Sequence, residues 1–405
     1  MTGPTTVNEP RRAAIAFIFV TVVIDVLAMG VVIPVLPTLV EGFLGGDTAR
    51  AAAYYGLFGT VWALMQFVCS PILGALSDHV GRRPVILISC LGLGLDYVFM
   101  ALAPSLGWLF VGRVISGITS ASMATAMAYI ADVTPPEKRA GSFGMVGAAF
   151  GLGFVLGPAL GGLLGSIDPR LPFWFSAALA LANTLYGFFV LPESLPPDRR
   201  SAFSWRKANP VGSLELLRSH HELFGLAGVA TLYYLAHTVL PSMFVLYAGY
   251  RYGWDARTVG ITLAIVGVCA MIVQGGLVKP LVAKFGERTT LLAGLMCGTI
   301  GFTAYSLVPQ GMIWLFTPIL ACMGIFGPSL QALMSRRVQP HEQGKLQGAN
   351  ASIMGITGMF GPIMFTQAFS RSIAPGATLH FAGAPFFLAG LLVFAALLLG
   401  YRVTR

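Results

Sequence analysis

The hydrophobic positions of this chain form long continuous runs instead of the alternating or one-sided patterns of soluble domains. A bilayer core of roughly 30 Å needs about 20 apolar residues in a helix that rises about 1.5 Å per residue. Because lipid cannot satisfy backbone polar groups, each run is predicted to be a helix. We expect twelve spans, near 13–40, 54–77, 84–103, 107–131, 141–165, 171–192, 223–249, 258–278, 289–308, 311–335, 346–370 and 380–401.

The longest polar stretch lies in the middle of the chain and separates two sets of six spans. Val80-Gly81-Arg82-Arg83 follows the second span, and Phe285-Gly286-Glu287-Arg288 follows the eighth, about half a chain later. A duplicated six-helix unit is the simplest interpretation. The predicted fold is an all-α integral membrane protein with an N-terminal bundle at 1–192, a linker at 193–222 and a C-terminal bundle at 223–405.

The basic residues orient the spans. An even number of spans puts both termini on one side, and Lys and Arg accumulate in cytoplasmic loops. Of the 25 Lys and Arg residues, 19 lie in the terminal segments, the linker and the loops on the same side of the membrane as the termini. Five lie in the loops on the opposite side, and Arg113 lies inside a predicted span. We therefore expect both termini and the linker to be cytoplasmic, in a bacterial-type inner or plasma membrane.

Composition supports a lipid environment and argues against several functions. Charged residues make up 10% of the chain and hydrophobic ones 56%, with a mean hydropathy of +0.78. The net charge of +9 is spread over short clusters, so no nucleic-acid partner is expected. The five cysteines fall in apolar runs without Cys-x-x-Cys spacing, so no metal site or cofactor is predicted. The first apolar run is too long for a cleaved signal peptide, so we expect it to remain as a span.

Three ionisable residues fall inside predicted spans, namely Asp25, Asp96 and Arg113. Each costs about 2.5–3.5 kcal/mol even on the lenient insertion scale, so each should face protein or a water-filled cavity. Asp96 and Arg113 are similarly far from the turn at Pro104-Ser105, and they could form a structural ion pair. The alternative is that Asp25 or Asp96 carries a proton and competes with a cationic substrate for one site.

A polar motif joins the second and third spans, and it reads Gly74-Ala-Leu-Ser-Asp78-His-Val-Gly81-Arg82-Arg83-Pro84. Its glycines permit a tight turn, and Asp78 can meet an arginine or a helix N-terminus. A polar latch between helix ends would result, although an ordinary surface turn would look similar. The motif resembles the loop signature of the major facilitator superfamily, a family of transporters with two six-helix bundles.

Two further segments resemble motifs of the same family. Arg113-Val-Ile-Ser-Gly117-Ile-Thr-Ser-Ala121, in the fourth span, resembles its arginine motif. Gly153-Phe-Val-Leu-Gly157-Pro158-Ala-Leu-Gly161-Gly162, in the fifth, resembles the motif of its proton-coupled antiporters. Small residues four positions apart also let helices approach closely, so plain packing is the alternative interpretation.

Over nearly its whole length, the chain most resembles the tetracycline/proton antiporters and their drug-exporting relatives. The segments that carry this resemblance are Ile33-Pro-Val-Leu-Pro37, Leu64-Met-Gln66, Leu95-Asp96-Tyr97, Tyr129-Ile-Ala-Asp132, Tyr252-Gly-Trp254 and Gln343-Gly-Lys-Leu-Gln347-Gly348. The resemblance implies that Asp25 and Asp96 are the group's first-helix and third-helix aspartates. It also implies a histidine in the eighth helix and an aspartate in the ninth, but this chain has Ala270 and Gly298 there.

Uncharged amides within the spans, or at their ends, are the remaining candidates for a substrate cavity. They could bind a polar drug or simply join helices, and they are Gln66, Gln274, Gln331 and Asn350. The sequence thus predicts a proton-coupled antiporter that exports a drug or an amphipathic organic molecule by alternating access, with tetracycline the leading candidate. Its expected partners are the substrate, alone or as a metal chelate, protons and lipid.

The missing acid of the C-terminal half leaves a second transport function open, a facilitator or symporter of a small metabolite. A membrane enzyme or a channel is disfavoured, because no His-Glu-x-x-His, Gly-x-Ser-x-Gly, Walker-type or selectivity-filter sequence is visible.

Overall fold

A computed structural model describes most of the chain, and the described residues are 9–119, 122–135, 139–205, 209–210, 212–214, 216, 221–339, 342–377 and 380–404. Ten helical stretches in these ranges are long and apolar enough to cross a membrane. One of them, Ala256–Leu307, has 52 residues and forms two spans. Gln343–Ile373 also has spanning length, with 31 residues, but carries Lys345 and Arg371. The described part of the chain therefore contains the twelve expected spans.

The spans of the first half are mostly single helices. They are α1 (Glu9–Val32, continued by Leu36–Phe43), α2 (Thr48–Val80), α3 (Arg82–Leu102), α4 (Leu106–Thr119 and Ser122–Val133), α5 (Arg139–Gly165) and α6 (Leu171–Val190). The break in α1 falls around Pro34, and Pro37 lies in the first turn of the next piece, as expected for a residue that lacks a backbone donor.

The spans of the second half contain more irregular turns. They are α7 (His221–His237 and Val239–Tyr252), α8 (Ala256–Ile272, with a π-helical turn at Val273–Leu277), α9 (the later part of Val278–Leu307), α10 (Ile313–Ala321, a 3-10 turn at Cys322–Ile325, and Phe326–Ser335), α11 (Gln343–Ile373) and α12 (Ala384–Val403).

At the start of α8, Asp255 accepts hydrogen bonds from Thr258, and these hold the pKa of Asp255 below its ordinary value.

The repeat that the sequence indicated is visible in the backbone of two turns. Gly81 separates α2 from α3 with φ 112° and ψ 160°, and Gly286 separates α8 from α9 with φ 78° and ψ 165°. A positive φ favours glycine, which explains why both turns have this residue. The helix of α8 extends beyond the predicted span 258–278, from the π-helical turn until Gly286.

The two halves pack together near the ends of the helices that lie opposite the linker, here called the far side. Gly56 of α2 packs against Thr366 of α11, and the Thr60 hydroxyl donates to the Met359 carbonyl oxygen at 2.8 Å. Gly162 of α5 packs in the same way against α8. Glycines permit this close approach because they have no side chain to separate the helices.

Toward the linker side, the same helices have open space beside them. A Cβ added at any of several glycines there would meet nothing within 4 Å, and these glycines are Gly74, Gly147, Gly275, Gly276 and Gly344. In the described residues the two halves are therefore in direct contact on the far side.

Replacing Gly162 with valine should favour opening of the far side, because a Cβ there would clash with the Ala256 backbone. Thr366→Cys is a suitable reporter, since Thr366 is fully buried in the closed interface. With the five native cysteines replaced by serine, labelling of the reporter by a membrane-impermeant maleimide should rise severalfold. Gly42→Val is the control, because nothing lies within 4 Å of Gly42. Unchanged labelling in the Gly162 variant would contradict this account of the gate.

Candidate functional site

Asp25 lies in the middle of α1, at the meeting point of α1, α3 and α6. Its side chain is 8% exposed. Asn183 Nδ2 donates to Asp25 Oδ1 at 2.9 Å and to the Thr21 carbonyl oxygen at 3.0 Å. The Cys90 sulfur lies 3.6 and 3.7 Å from the two carboxylate oxygens. An amide and a thiol therefore hold this acid, and neither was predicted from the sequence.

Asp96 of α3 is more deeply buried, at 1% exposure, and its carboxylate lies against Gly112 of α4. Within the described residues, neither carboxylate oxygen meets a donor in hydrogen-bond geometry. Arg113 and Ser116 are polar neighbours on α4. The Arg113 guanidinium lies over the Trp62 ring, with its carbon 5.5 Å from the ring centroid. A direct ion pair of Asp96 with Arg113, one of the two expectations, is absent from the described structure.

The loop motif forms a latch around the Arg82 side chain, which is 10% exposed. Its Nη1 lies 2.6 Å from Asp78 Oδ1 and donates to the Ser77 hydroxyl at 2.6 Å. Its Nε donates to Asp132 Oδ2, at the end of α4, at 3.1 Å. These contacts form a polar latch in this conformation, and their release in a second conformation stays a prediction. The latch joins three helices of the N-terminal half, whereas the motif residue Gly74 lies outside it, in open space.

Glu193 completes the latch from the first residue of the predicted linker. Its carboxylate accepts hydrogen bonds from the backbone N–H groups of Arg82, at 2.9 Å, and Arg83, at 3.3 Å. This is the favourable placement of an anion at a helix N-terminus, here that of α3. Arg83 in turn donates to the Phe188 carbonyl oxygen at 2.5 Å, which ties the latch to α6. Glu193 lies 111 positions from Arg82, and no local pattern in the sequence indicated this contact.

The glycine-proline motif of α5 packs on both halves of the molecule. Gly153, Gly157 and Gly161 lie against Val26, Gly30 and Val31 of α1. On another face of α5, Gly162 and the Pro158 carbonyl oxygen lie against Gly260 of α8. The motif therefore connects the helix of Asp25 to the C-terminal half by direct contact.

The amide candidates divide into two groups. Asn350 Nδ2 donates to Gln331 Oε1 at 2.8 Å, so this pair joins α10 to α11. The side-chain oxygen of Asn350, Oδ1, is buried without a hydrogen-bond partner in the described residues. Gln274 is exposed in the π-helical turn of α8, beside Gly324 of α10. Irregular turns of this kind often occur at functional sites.

Gln66 lies on the face of α2 that points away from lipid. The exposed apolar residues Leu57, Leu64 and Val68 occupy the opposite face at 100° per residue. On either side of Gln66, Met65 contacts α4 and Phe67 contacts α11. Gln66 therefore points between two helices of opposite halves.

The packing around Gly298 bears on one position at which this chain differs from the tetracycline/proton antiporters that it resembles. Gly298 of α9 is buried, and a Cβ there would come within 2.5 Å of the Met323 sulfur. An aspartate could not occupy this position unless Met323 moved. Ala270 lies on α8, one residue before Met271, which contacts α5.

Comparisons with known proteins agree with this geometry. The sequence profile of the Major Facilitator Superfamily matches residues 18–362. The tetracycline resistance protein of class C from Escherichia coli is 39% identical over 362 residues, which cover 89% of this chain and 90% of that protein. The class H protein from Pasteurella multocida is 33% identical, with 89% and 90% covered.

The fold also has solved relatives. A bacterial homologue of the human lysosomal transporter Spinster, in an inward-facing and occupied conformation, matches with a TM-score of 0.79 and 16% identity, covering 98% of each chain. At this identity the likeness concerns the fold alone.

Arg82→Met should destabilise the protein by about 2–3 kcal/mol, because it leaves Asp78 and Asp132 without their shared cation. Arg336→Met is the matched control, since Arg336 pairs with Glu287 but its side chain is 70% exposed. The control should cost about 0–1 kcal/mol. Chemical denaturation of the purified proteins in mixed micelles measures both. Equal losses in the two variants would show that the latch contributes no more than a surface ion pair.

Proposed function

The chain belongs to the major facilitator superfamily, and we propose that it exports a drug or a similar amphipathic organic molecule in exchange for protons, with tetracycline the leading candidate. The observation that carries this proposal is the similarity to tetracycline resistance proteins along about nine-tenths of both chains. The molecule is a multi-pass membrane transporter and not an enzyme.

The two bundles, at 1–192 and 223–405, would move against each other around a central site. In the described conformation they meet on the far side, whereas several linker-side glycines of the same helices have no neighbour within 4 Å. The basic loops favour a cytoplasmic linker and cytoplasmic termini, so this conformation would face inward. Substrate would then enter from the cytoplasm or the inner leaflet and leave when the far side opens.

Asp25 and Asp96 are the groups we propose for proton coupling. An ionised carboxylate is costly in an apolar interior, and either a proton or a cationic substrate offsets that cost. A proton and a substrate that need the same carboxylate exclude each other, which is the basis of exchange. Asp25 has neutral donors around it, and Asp96 has oxygens that no donor satisfies in the described residues.

The glycine-proline motif offers a physical route from proton binding to movement. It packs α5 against α1 near Asp25 and, on another face, against α8 of the opposite half. A small shift of α1 when Asp25 changes its protonation would therefore reach the interface that closes the far side. Arg113, on the α4 face near Asp96, would adjust the charge of the same region.

The C-terminal half would contribute neutral polar groups to substrate binding. Its predicted spans contain no aspartate or glutamate, so the proposed proton route stays within the first bundle. Gln274 and the side-chain oxygen Oδ1 of Asn350 would face Gln66 across the proposed substrate cavity and form hydrogen bonds with a polar substrate. A divalent cation would arrive with the substrate as its chelate.

A second candidate function is a facilitator or symporter of a small metabolite. The feature that favours it is Gly298, which stands where the resemblance implies the ninth-helix aspartate. This second function replaces the first if proton gradients do not drive export.

Asp25→Asn and Asp96→Asn should each abolish or strongly reduce proton-driven drug accumulation in everted vesicles, because asparagine cannot carry the proton. Counterflow of drug without a proton gradient should survive in at least one variant. Asp168→Asn is the control, since Asp168 is an exposed acid in a far-side loop. Full proton-driven uptake in both test variants would refute the proposed coupling.

Expression in a bacterium that lacks its own drug pumps should raise the tolerated concentration of tetracyclines severalfold. Growth is scored across a panel of tetracyclines and unrelated cationic drugs, with Asp25→Asn as the inactive control. Resistance to the unrelated drugs alone would keep the exporter and change its substrate. Resistance to none would favour the metabolite carrier.

A further inference from the structure

Asn183 lies in α6 and binds two acceptors of α1 at once. It is 1% exposed, and its Nδ2 donates to Asp25 Oδ1 at 2.9 Å and to the Thr21 carbonyl oxygen at 3.0 Å. Thr21 is four residues before Asp25, so the two acceptors lie on adjacent turns of one helix. One amide nitrogen therefore uses both of its hydrogens to join α6 to the part of α1 that carries the acid.

The orientation of this amide depends on the acid. The other polar atom of the amide, Asn183 Oδ1, is buried and has no hydrogen-bond partner in the described residues. The reverse orientation would place Oδ1 against the Asp25 carboxylate and the Thr21 carbonyl oxygen, which are both acceptors. The amide therefore presents its donor side to Asp25 while the carboxylate is ionised. A hydrogen bond to an ionised acceptor is about twice as strong as one between neutral groups.

Other titratable side chains lie on the helices around Asp25. The Cys90 sulfur is 3.6 Å from Asp25 Oδ2, but a thiol is a weak donor. On α5, glycines face α1. The remaining groups are Tyr97 on α3, which interacts electrostatically with Asp25, Asp96 and Arg113; Tyr129 on α4, which donates to a backbone carbonyl oxygen after α6; and Tyr186 on α6, which packs on α1 about two turns before Asp25.

We propose that Asn183 is a positioning residue for proton exchange at Asp25, an inference that rests on the proposed coupling role of this acid. The amide fixes the carboxylate between α1 and α6 and stabilises its ionised form. An ionised carboxylate is costly away from water, so burial by itself favours retention of the proton. The amide offsets part of that cost, which allows Asp25 to release the proton as well as to bind it.

Proton binding would also loosen one contact between α1 and α6. A neutral carboxyl group is a weaker acceptor than a carboxylate, so the bond from Asn183 weakens when Asp25 is protonated. About one turn later along α1, the Ser176 hydroxyl donates to the Ala28 carbonyl oxygen at 2.8 Å, and no charge is involved there. Protonation would therefore loosen α1 at Asp25, next to the residues of α1 that pack on the glycines of α5.

Infrared difference spectroscopy of the full-length protein in nanodiscs measures the effect of the amide directly. A protonated carboxyl group has a C=O band that disappears on ionisation, and the band of Asp25 is identified by its absence in Asp25→Asn. The titration runs from about pH 4 to about pH 10. Asn183→Leu has a similar size and no donor, so the midpoint of the Asp25 band should move to higher pH by about one unit or more, an increase of about tenfold in proton affinity.

Ser176→Ala is the matched control, because it removes a buried bond between the same two helices that goes to Ala28 instead of Asp25. Its midpoint should equal that of the unchanged protein, and Cys90→Ala should shift the midpoint less than Asn183→Leu does. Asn183→Ser is the second variant, for use if Asn183→Leu does not fold. Its hydroxyl is one bond shorter than the amide, so it should shift the midpoint in the same direction.

An unchanged midpoint in Asn183→Leu, a shift to lower pH, or an equal shift in Ser176→Ala would overturn the positioning role. Absence of an Asp25 band across the whole titration would refute the coupling role of Asp25 and this inference with it. Failure of drug export in cells, with the shift in Asn183→Leu still present, would refute the transport proposal and leave the role of Asn183 intact. The two proposals therefore fail separately.

Discussion

The constraint on which the structure depends is the cost of a carboxylate in an apolar interior. Asp25 and Asp96 are 8% and 1% exposed, and each needs either a proton or polar neighbours to be tolerated there. Asn183 supplies an amide to Asp25, and the absence of a side chain at Gly112 makes room for Asp96. The spans around them are positioned so that both acids lie within the first bundle, away from lipid.

The same cost separates the two halves in function. The first half has buried acids and a latch of charged residues at its linker side, with Arg82 at the centre of the latch. The corresponding turn of the second half, at Gly286, has a partly exposed Glu287–Arg336 pair instead. The two turns thus share a glycine with a positive φ while the charges around them differ, and in the proposed function only the first half binds protons.

Small residues determine how the halves meet. Glycines on α2, α5, α8 and α11 bring the helices into backbone contact on the far side, and glycines nearer the linker stay free of neighbours. Helices that meet at glycines have few interdigitating side chains between them, so they can associate and separate with little rearrangement. This property suits a gate.

How far the site could be predicted depended on whether its parts are near in sequence. Asp25, Asp96 and Arg113 were identifiable because a charge inside an apolar run is conspicuous, and Asp78 and Arg82 because they are four residues apart. Asn183 was one amide in an apolar span, 158 positions from Asp25, and Glu193 was one acid in a polar linker. Their partners depend on how helices pack, and no periodicity within one helix carries that information.

The sequence by itself determined the class of the protein, its twelve spans and its two halves, because lipid imposes a length and a hydrophobicity on every span. It also determined the family, through motifs whose residues are adjacent. Only the tertiary structure decided that Asp96 and Arg113 do not pair, that the latch includes Asp132 and Glu193, and which side is closed. These features arise from contacts between distant helices, where shape and distance select among partners that the sequence leaves equivalent.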